Sequence, residues 1–222
     1  MKIAYYDYNI EVDFSYGEIS NIVIENPMVL DAFVMALHNS LNKKEEKIHV
    51  LEDFEEVNFV ENTDLIFSPL GLSYERRDVQ KRLIQNILEE ISESDISYKF
   101  SEICSDFLEN IQQLEMDSEY EIDFDEDLDM QKLIKCFDIH LQEPSGSFVE
   151  RLVEYISVMT KLMRKRIFIL IGCSDYVDEV EYKLLEKHVA YEHVAVIKIE
   201  GKQNALKNLK NQYILDGDLC EI

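Results

Sequence analysis

In the first third of the chain, apolar residues fall in short runs separated by turn residues. Ile19 to Ile24 is rich in β-branched side chains and leads to Asn26-Pro27, after which Leu30, Phe33, Val34, Leu37 and Leu41 recur at helical spacing. This order predicts strand, cap and helix: Asn suits the N-cap, and Pro suits the first turn, where its missing amide hydrogen costs nothing. Ile48 to Leu51, Val57 to Val60 and Leu65 to Phe67 predict further short strands, with turn chemistry at Ser68-Pro69 and Gly71. From Tyr74 the period changes. Val79, Leu83, Ile84, Ile87, Leu88 and Ile91 follow the spacing of an amphipathic helix, and Phe100, Ile103, Phe107, Leu108 and Ile111 mark a second. A short helix is expected around Leu133 to Phe137, a break at Pro144-Ser145-Gly146, and a helix from Ser147 to about Met163.

The α/β pattern then resumes. Arg166 to Gly172 is an apolar run too short to span a membrane and suited to a buried parallel strand. A helix around Val177 to His188, a strand at Val194 to Ile199, a polar loop or helix from Gly201 to Asn211, and edge strands at Tyr213 to Leu215 and Leu219 to Ile222 complete the reading. The expected fold class is α/β: a sheet-based head (1–73 and 147–222, with helix 147–163 leading back to the sheet) interrupted by a helical insertion (74–146).

Composition supports a continuously folded chain, since 222 residues with 46% hydrophobic can bury a sizeable core, and three prolines and six glycines leave no room for long linkers. The first residues carry no apolar h-region and no run approaches the length of a membrane span, so the cytoplasm is the expected location. Cys104, Cys136, Cys173 and Cys220 form no Cys-x-x-Cys pair, which argues against a zinc ribbon or thioredoxin-like motif and predicts buried free thiols.

Charge changes the picture more. Acidic residues outnumber basic ones 46 to 22, for a formal charge of -24 that repels phosphate backbones and anionic lipid at long range. Yet the cations cluster: Lys43, Lys44 and Lys47; Arg76, Arg77, Lys81 and Arg82; Lys132 and Lys135; Lys161, Arg164, Lys165 and Arg166. Clustering is the footprint of phosphate contact, and intrahelical pairing, such as Arg82 with Asp78, competes with it. Between Glu115 and Asp129, nine of fifteen side chains are carboxylates and none is basic. So dense an oxygen cluster suits a hard cation such as Ca²⁺; the alternative is a solvated acidic loop. Asp123, Asp125, Asp127 and Asp129 alternate, so in an extended segment they point one way and could share an ion, with Glu126 on the opposite parity. A helix-loop-helix calcium site starting at Asp123 would need glycine where Leu128 stands and glutamate where Ile134 stands, so the segment is not that motif.

Catalytic chemistry finds no foothold. The turn after Ile24 lacks the Gly-x-x-x-x-Gly-Lys-Ser/Thr phosphate loop, Gly172-Cys173-Ser174-Asp175 supplies one glycine where a dinucleotide fingerprint needs three, and five scattered histidines make no metal or triad pattern. No nucleotide and no enzymatic activity are expected.

The order of these segments resembles the spacer-acquisition protein family of type II-A CRISPR systems, which forms rings on double-stranded DNA ends. The resemblance is carried by the strand and helix at Ile19 to Leu41, the short strands to Phe67, the helix after Tyr74, Ile122-Asp-Phe-Asp-Glu-Asp-Leu128 running into Leu133-Ile134-Lys135, and Ile167 to Ile171. It implies a head related to phosphate-loop ATPase folds but without nucleotide chemistry, an elongated helical leg, and a Ca²⁺-stabilised homotetramer that threads DNA and works with other acquisition proteins and the effector nuclease. Its calcium acids fall on the segment holding Asp123, Asp125, Glu126 and Asp127. The candidate DNA contacts are Lys43, Lys44, Arg76, Arg77, Lys81, Arg82, Lys132, Lys135, Lys161 and Arg164. The competing reading is an acidic protein-protein adaptor with no nucleic-acid contact.

Overall fold

The structure, a computed structural model, describes residues 1–121, 123, 130–203 and 212–222. The chain divides into two compact units, Met1–Ser73 with Glu143–Ile222, and Tyr74–Gln142. The strands are β1 (Lys2–Tyr5), β2 (Ile10–Asp13), β3 (Ile19–Ile24), β4 (Ile48–Glu52), β5 (Glu55–Glu56), β6 (Thr63–Ile66), β7 (Ile167–Ile171), β8 (Ala195–Glu200) and β9 (Gln212–Leu215). The helices are α1 (Pro27–Leu41), α2 (Phe59–Asn62), α3 (Arg77–Ser92), α4 (Ile96–Asp117), α5 (Met130–Cys136), α6 (Phe148–Met163) and α7 (Glu179–Glu192).

Among the described residues all strands lie in the first unit. Five form a sheet in the order β6-β7-β8-β3-β9 with every pairing parallel, and four form an antiparallel sheet in the order β2-β1-β4-β5. A parallel strand covered on both faces reads as a continuous apolar run, as β7 does, whereas β2 alternates buried Ile10 and Val12 with exposed Glu11 and Asp13. The core joins both sheets through α1: Val29, Phe33, Ala36 and Leu37 cluster with Ile3, Tyr5, Ile10 and Val50 of one sheet and with Ile22, Ile24, Ile169 and Ile197 of the other. The mixed α/β architecture with a parallel sheet is thus the one expected.

Helix starts follow the sequence signals. The Asn26 side-chain oxygen accepts from the amides of Met28 (3.1 Å) and Val29 (3.3 Å), and Ser147 and Asp178 close capping boxes with Glu150 and Glu181 at the starts of α6 and α7. We expect Asn26→Ala to lower unfolding stability by about 1 kcal/mol in a denaturant titration, because two helix-end amides lose their acceptor. No helix among the described residues is long and apolar enough to cross a membrane.

Three expectations require correction. Val57 to Val60 is not a strand: Asn58 accepts from the amide of Glu61 (3.2 Å) and starts the one-turn α2, so local cap chemistry overrides the β-branched pair. Leu219 to Ile222 forms only an isolated bridge, Leu215 to Glu221. Of the four cysteines only Cys173 is buried; Cys104 is half-buried, and Cys136 and Cys220 are exposed. The N-terminal strands β1 and β2 were not foreseen. The expected loop or helix at Gly201 to Asn211 lies largely outside the described residues.

The described residues of the second unit form α3, α4 and α5, with α3 packing on both others. Val79 of α3 and Ile134 of α5 are buried.

Candidate functional site

Parallel sheets bind ligands outside the carboxyl ends of their strands, and a phosphate there would take the free amides at the start of the helix after β3. In this chain those amides are occupied. Asn26 accepts from Met28 and Val29, and Pro27 has no amide hydrogen to offer. The start of α1 is thus closed by the protein's own side chain.

The loop after β7 is different. Gly172 turns the chain at φ +63, and the next two residues, Cys173 and Ser174, are buried. Ser174 donates both its backbone N–H (2.9 Å) and its hydroxyl (2.5 Å) to Glu200 Oε1 at the end of β8. Lys198, only 1% exposed, lies two residues before Glu200 with its ammonium 5.4 Å from the centre of the Tyr182 ring. Burial pushes the Lys198 ammonium to a lower pKa, opposed by the charge of Glu200 and the sulfur of Cys173. Burial likewise pushes the Cys173 thiol up to about 11, so it is a protonated, inert sulfur at neutral pH. This cluster escaped sequence reasoning, although a lysine inside the apolar run Ala195 to Ile199 was the signal that could have found it.

The candidate cations divide between the two units. In the first, Lys43 and Lys44 follow α1, and Lys161 and Arg164 lie at the end of α6. Lys43 (φ 56) and Arg164 (φ 59) adopt the left-handed backbone that commonly ends helices. A cation there also balances the negative end of the helix dipole, which gives both residues a structural role without any ligand. They line adjoining clefts of about 510 and 500 Å³ that share Val60, but Glu45, Glu46, Glu56 and Glu61 line the same clefts, so the surroundings do not favour an anion.

In the second unit, Arg76 precedes α3 and pairs with Asp78 (2.8 Å), and Arg82 lies 3.7 Å from Glu89. Arg77 and Lys81, one turn apart on α3, have no ion-pair partner among the described residues, nor do Lys132 and Lys135 on α5. All four are exposed, and α3 and α5 pack together. Among the described residues Lys43, Lys44 and Arg164 also have no ion-pair partner, while Lys161 lies 3.9 Å from Glu192. Seven of the ten candidate cations are therefore free among the described residues, in a chain where acids outnumber bases two to one.

Of the candidate calcium ligands, Asp123 is described and exposed; Asp125, Glu126, Asp127 and Asp129 lie outside the described residues. Among the described residues no group of three or more His, Cys, Asp or Glu side chains is placed to hold a metal. The donor chemistry of the segment, carboxylate oxygens only, is that of a hard-cation site.

A solved structure, Stu0660 of Streptococcus thermophilus, superimposes with a TM-score of 0.64 at 16% identity, covering 97% of this chain and 74% of that one. That likeness is one of fold. The CRISPR-associated protein Csn2 of Enterococcus faecalis is 30% identical over 99 residues, a match that spans 44% of this chain and 44% of that relative. The family model of the CRISPR-associated protein Cas_Csn2 matches residues 39–219, most of the length, so the resemblance seen in the sequence holds. This chain belongs to the Cas_Csn2 family of CRISPR-associated proteins.

Proposed function

We propose that this protein binds double-stranded DNA ends without reading their sequence, as a Ca²⁺-dependent homotetrameric ring, and so supports spacer acquisition in type II-A CRISPR immunity in the cytoplasm. It would hand DNA to other acquisition proteins and the effector nuclease and would neither cleave it nor hydrolyse ATP. The observation that carries this reading is the set of cations that are unpaired among the described residues. In a chain of formal charge -24, cations without carboxylate partners among the described residues suit an external anion, and the four on α3 and α5 share one packed unit. Family membership supplies the CRISPR setting.

Ca²⁺ would be held by Asp123, Asp125, Glu126, Asp127 and Asp129. A cation there would lower the mutual repulsion of the nine-carboxylate segment, and its charge would offset part of the field that repels DNA. Sedimentation should show a tetramer in Ca²⁺ and a smaller species in chelator, and Asp123→Asn with Asp125→Asn should reproduce the chelator result. An unchanged monomer in both buffers would remove the ring. Mg²⁺-supported DNA cleavage abolished by Asp125→Asn would instead make the segment a catalytic metal site.

The adaptor reading has one observation in its favour: Ile103, Phe107 and Leu114 are each more than half exposed along α4. A mobility shift with linear duplex DNA, with and without Ca²⁺, separates the two readings, because an adaptor without nucleic-acid contact gives no shift in either buffer.

A further inference from the structure

The tip of the hairpin that joins β4 to β5 has no part in the DNA contacts proposed above. Glu52 pairs with Glu55 across the two strands, which leaves Asp53 and Phe54 as a two-residue loop. Both loop residues have positive φ, 49 at Asp53 and 70 at Phe54. Such loops favour Asn-Gly or Asp-Gly, because glycine takes the second position without steric cost. Asp53 fits that preference and Phe54 breaks it: its φ is the most positive of any described non-glycine residue, on an aromatic side chain. Two more departures meet at the same place. Phe54 is 101% exposed, so among the described residues nothing packs on its ring to offset that strain. Glu52 and Glu55 are like charges directly opposite, an arrangement that destabilises a strand pair. Glu52, Asp53 and Glu55 have no ion-pair partner among the described residues, while the Glu56 carboxylate lies 2.8 Å from the His49 ring.

A single exposed apolar side chain is ordinary on a protein surface. A strained backbone, a bare aromatic ring and opposed carboxylates on neighbouring residues do nothing for folding, and local rules broken together mark a site kept for function. We infer that this hairpin is a docking knob: Phe54 enters an apolar socket on a partner protein, and the rim of that socket carries Lys and Arg side chains that face Glu52, Asp53 and Glu55. Aromatic anchors in desolvated sockets carry most of the affinity of such contacts, while rim charges set the approach and the choice of partner. Nucleic acid does not fit, because proteins that stack aromatic rings on bases set them among cations, and here the ring stands among carboxylates. A second copy of this chain, at a formal charge of -24, offers the wrong field. A protein that handles the same DNA is itself rich in surface cations. The inference therefore rests on the DNA-binding reading for its class of partner, a basic protein of the acquisition set.

The test passes each purified acquisition protein and the effector nuclease of the same CRISPR system over the immobilised full chain and records association and dissociation. At least one should bind wild type saturably. Phe54→Ala should weaken that binding by about tenfold or more, and Glu52→Gln with Asp53→Asn and Glu55→Gln should slow association and flatten its dependence on salt. Phe54→Gly should also lose the partner yet melt at or above the wild-type temperature, since glycine relieves the left-handed strain and no packing is lost. With Phe54 replaced by photoreactive benzoyl-phenylalanine, crosslinks should fall on apolar residues beside Lys or Arg of the bound protein. The inference is overturned if none of these proteins binds wild type, if Phe54→Ala binds as tightly, if Phe54→Gly melts below wild type, or if the crosslinks fall on a second copy of this chain. Every variant should keep the wild-type shift of linear DNA, because no cation is changed. A normal shift with undiminished partner binding by Phe54→Ala removes the docking knob alone, whereas a wild-type chain that gives no shift removes the DNA-binding reading and this inference with it.

Discussion

Reversing Arg77, Lys81, Lys132 and Lys135 to glutamate should lower affinity for linear duplex DNA by at least about 100-fold at moderate salt, through lost counterion release and added repulsion. Each is exposed and without an ion-pair partner among the described residues, so each can give its full charge to a phosphate. Neutralising one such cation should reduce the slope of log affinity against log salt by about one, and in a ring the change repeats in every subunit. A mobility-shift series across salt concentrations measures both effects. Arg76 supplies the contrast: it already bonds Asp78 at 2.8 Å, so Arg76→Gln should change affinity much less than Arg77→Gln. Full-strength binding by the quadruple variant would move the DNA surface off α3 and α5. Lys43, Lys44 and Arg164 would then be the cations to reverse, with a thermal melt beside each assay because Lys43 and Arg164 also balance helix ends.

The separation of these two groups of cations shows what a sequence can and cannot convey here. Runs such as Ile19 to Ile24 and Ile167 to Ile171 were legible because strands buried on both faces need apolar side chains at successive positions, and the start of α1 was legible because Asn and Pro at its first positions have local causes. Strands β1 and β2 were not legible. Lys2–Tyr5 and Ile10–Asp13 are four residues each; they pair antiparallel with each other, and Lys2–Tyr5 is held from its other side by β4, more than 40 residues away in the chain. Val57 to Val60 misled for the converse reason, since one side-chain cap at Asn58 outweighed a weak β preference. Charge clustering found the cations, but which were already spent on carboxylates depended on rotamers. The sequence placed Asp78 opposite Arg82, whereas in the fold the Arg76 guanidinium closes on it. The Lys198, Glu200 and Ser174 cluster was hidden further still, because it joins a strand to a loop 26 residues distant and has meaning only once β7 and β8 are paired.

A closed circle of duplex DNA should escape binding that a linear molecule of the same sequence and length undergoes. A ring that encloses its ligand can load only over an end, and cations reading phosphates in place of base edges give no sequence by which an internal site could be captured laterally. Linearising the circle with one cut should restore the shift fully. Blocking both ends of the linear molecule with bulky groups before adding protein should abolish it, whereas blocking them afterwards should trap the protein and slow its loss to competitor DNA. Chelator added before DNA should prevent loading by dispersing the ring, and chelator added after end-blocking should release protein that no other treatment frees, which ties the carboxylate segment to topology and not to affinity alone. Salt separates threading from surface adhesion: a lateral binder leaves blocked DNA as rapidly as open DNA when salt weakens its phosphate contacts, while a threaded ring slides but stays. Equal shifts with linear and closed circular DNA would therefore reject threading, and the cations of α3 and α5 would then act as an open, laterally accessible phosphate-binding face.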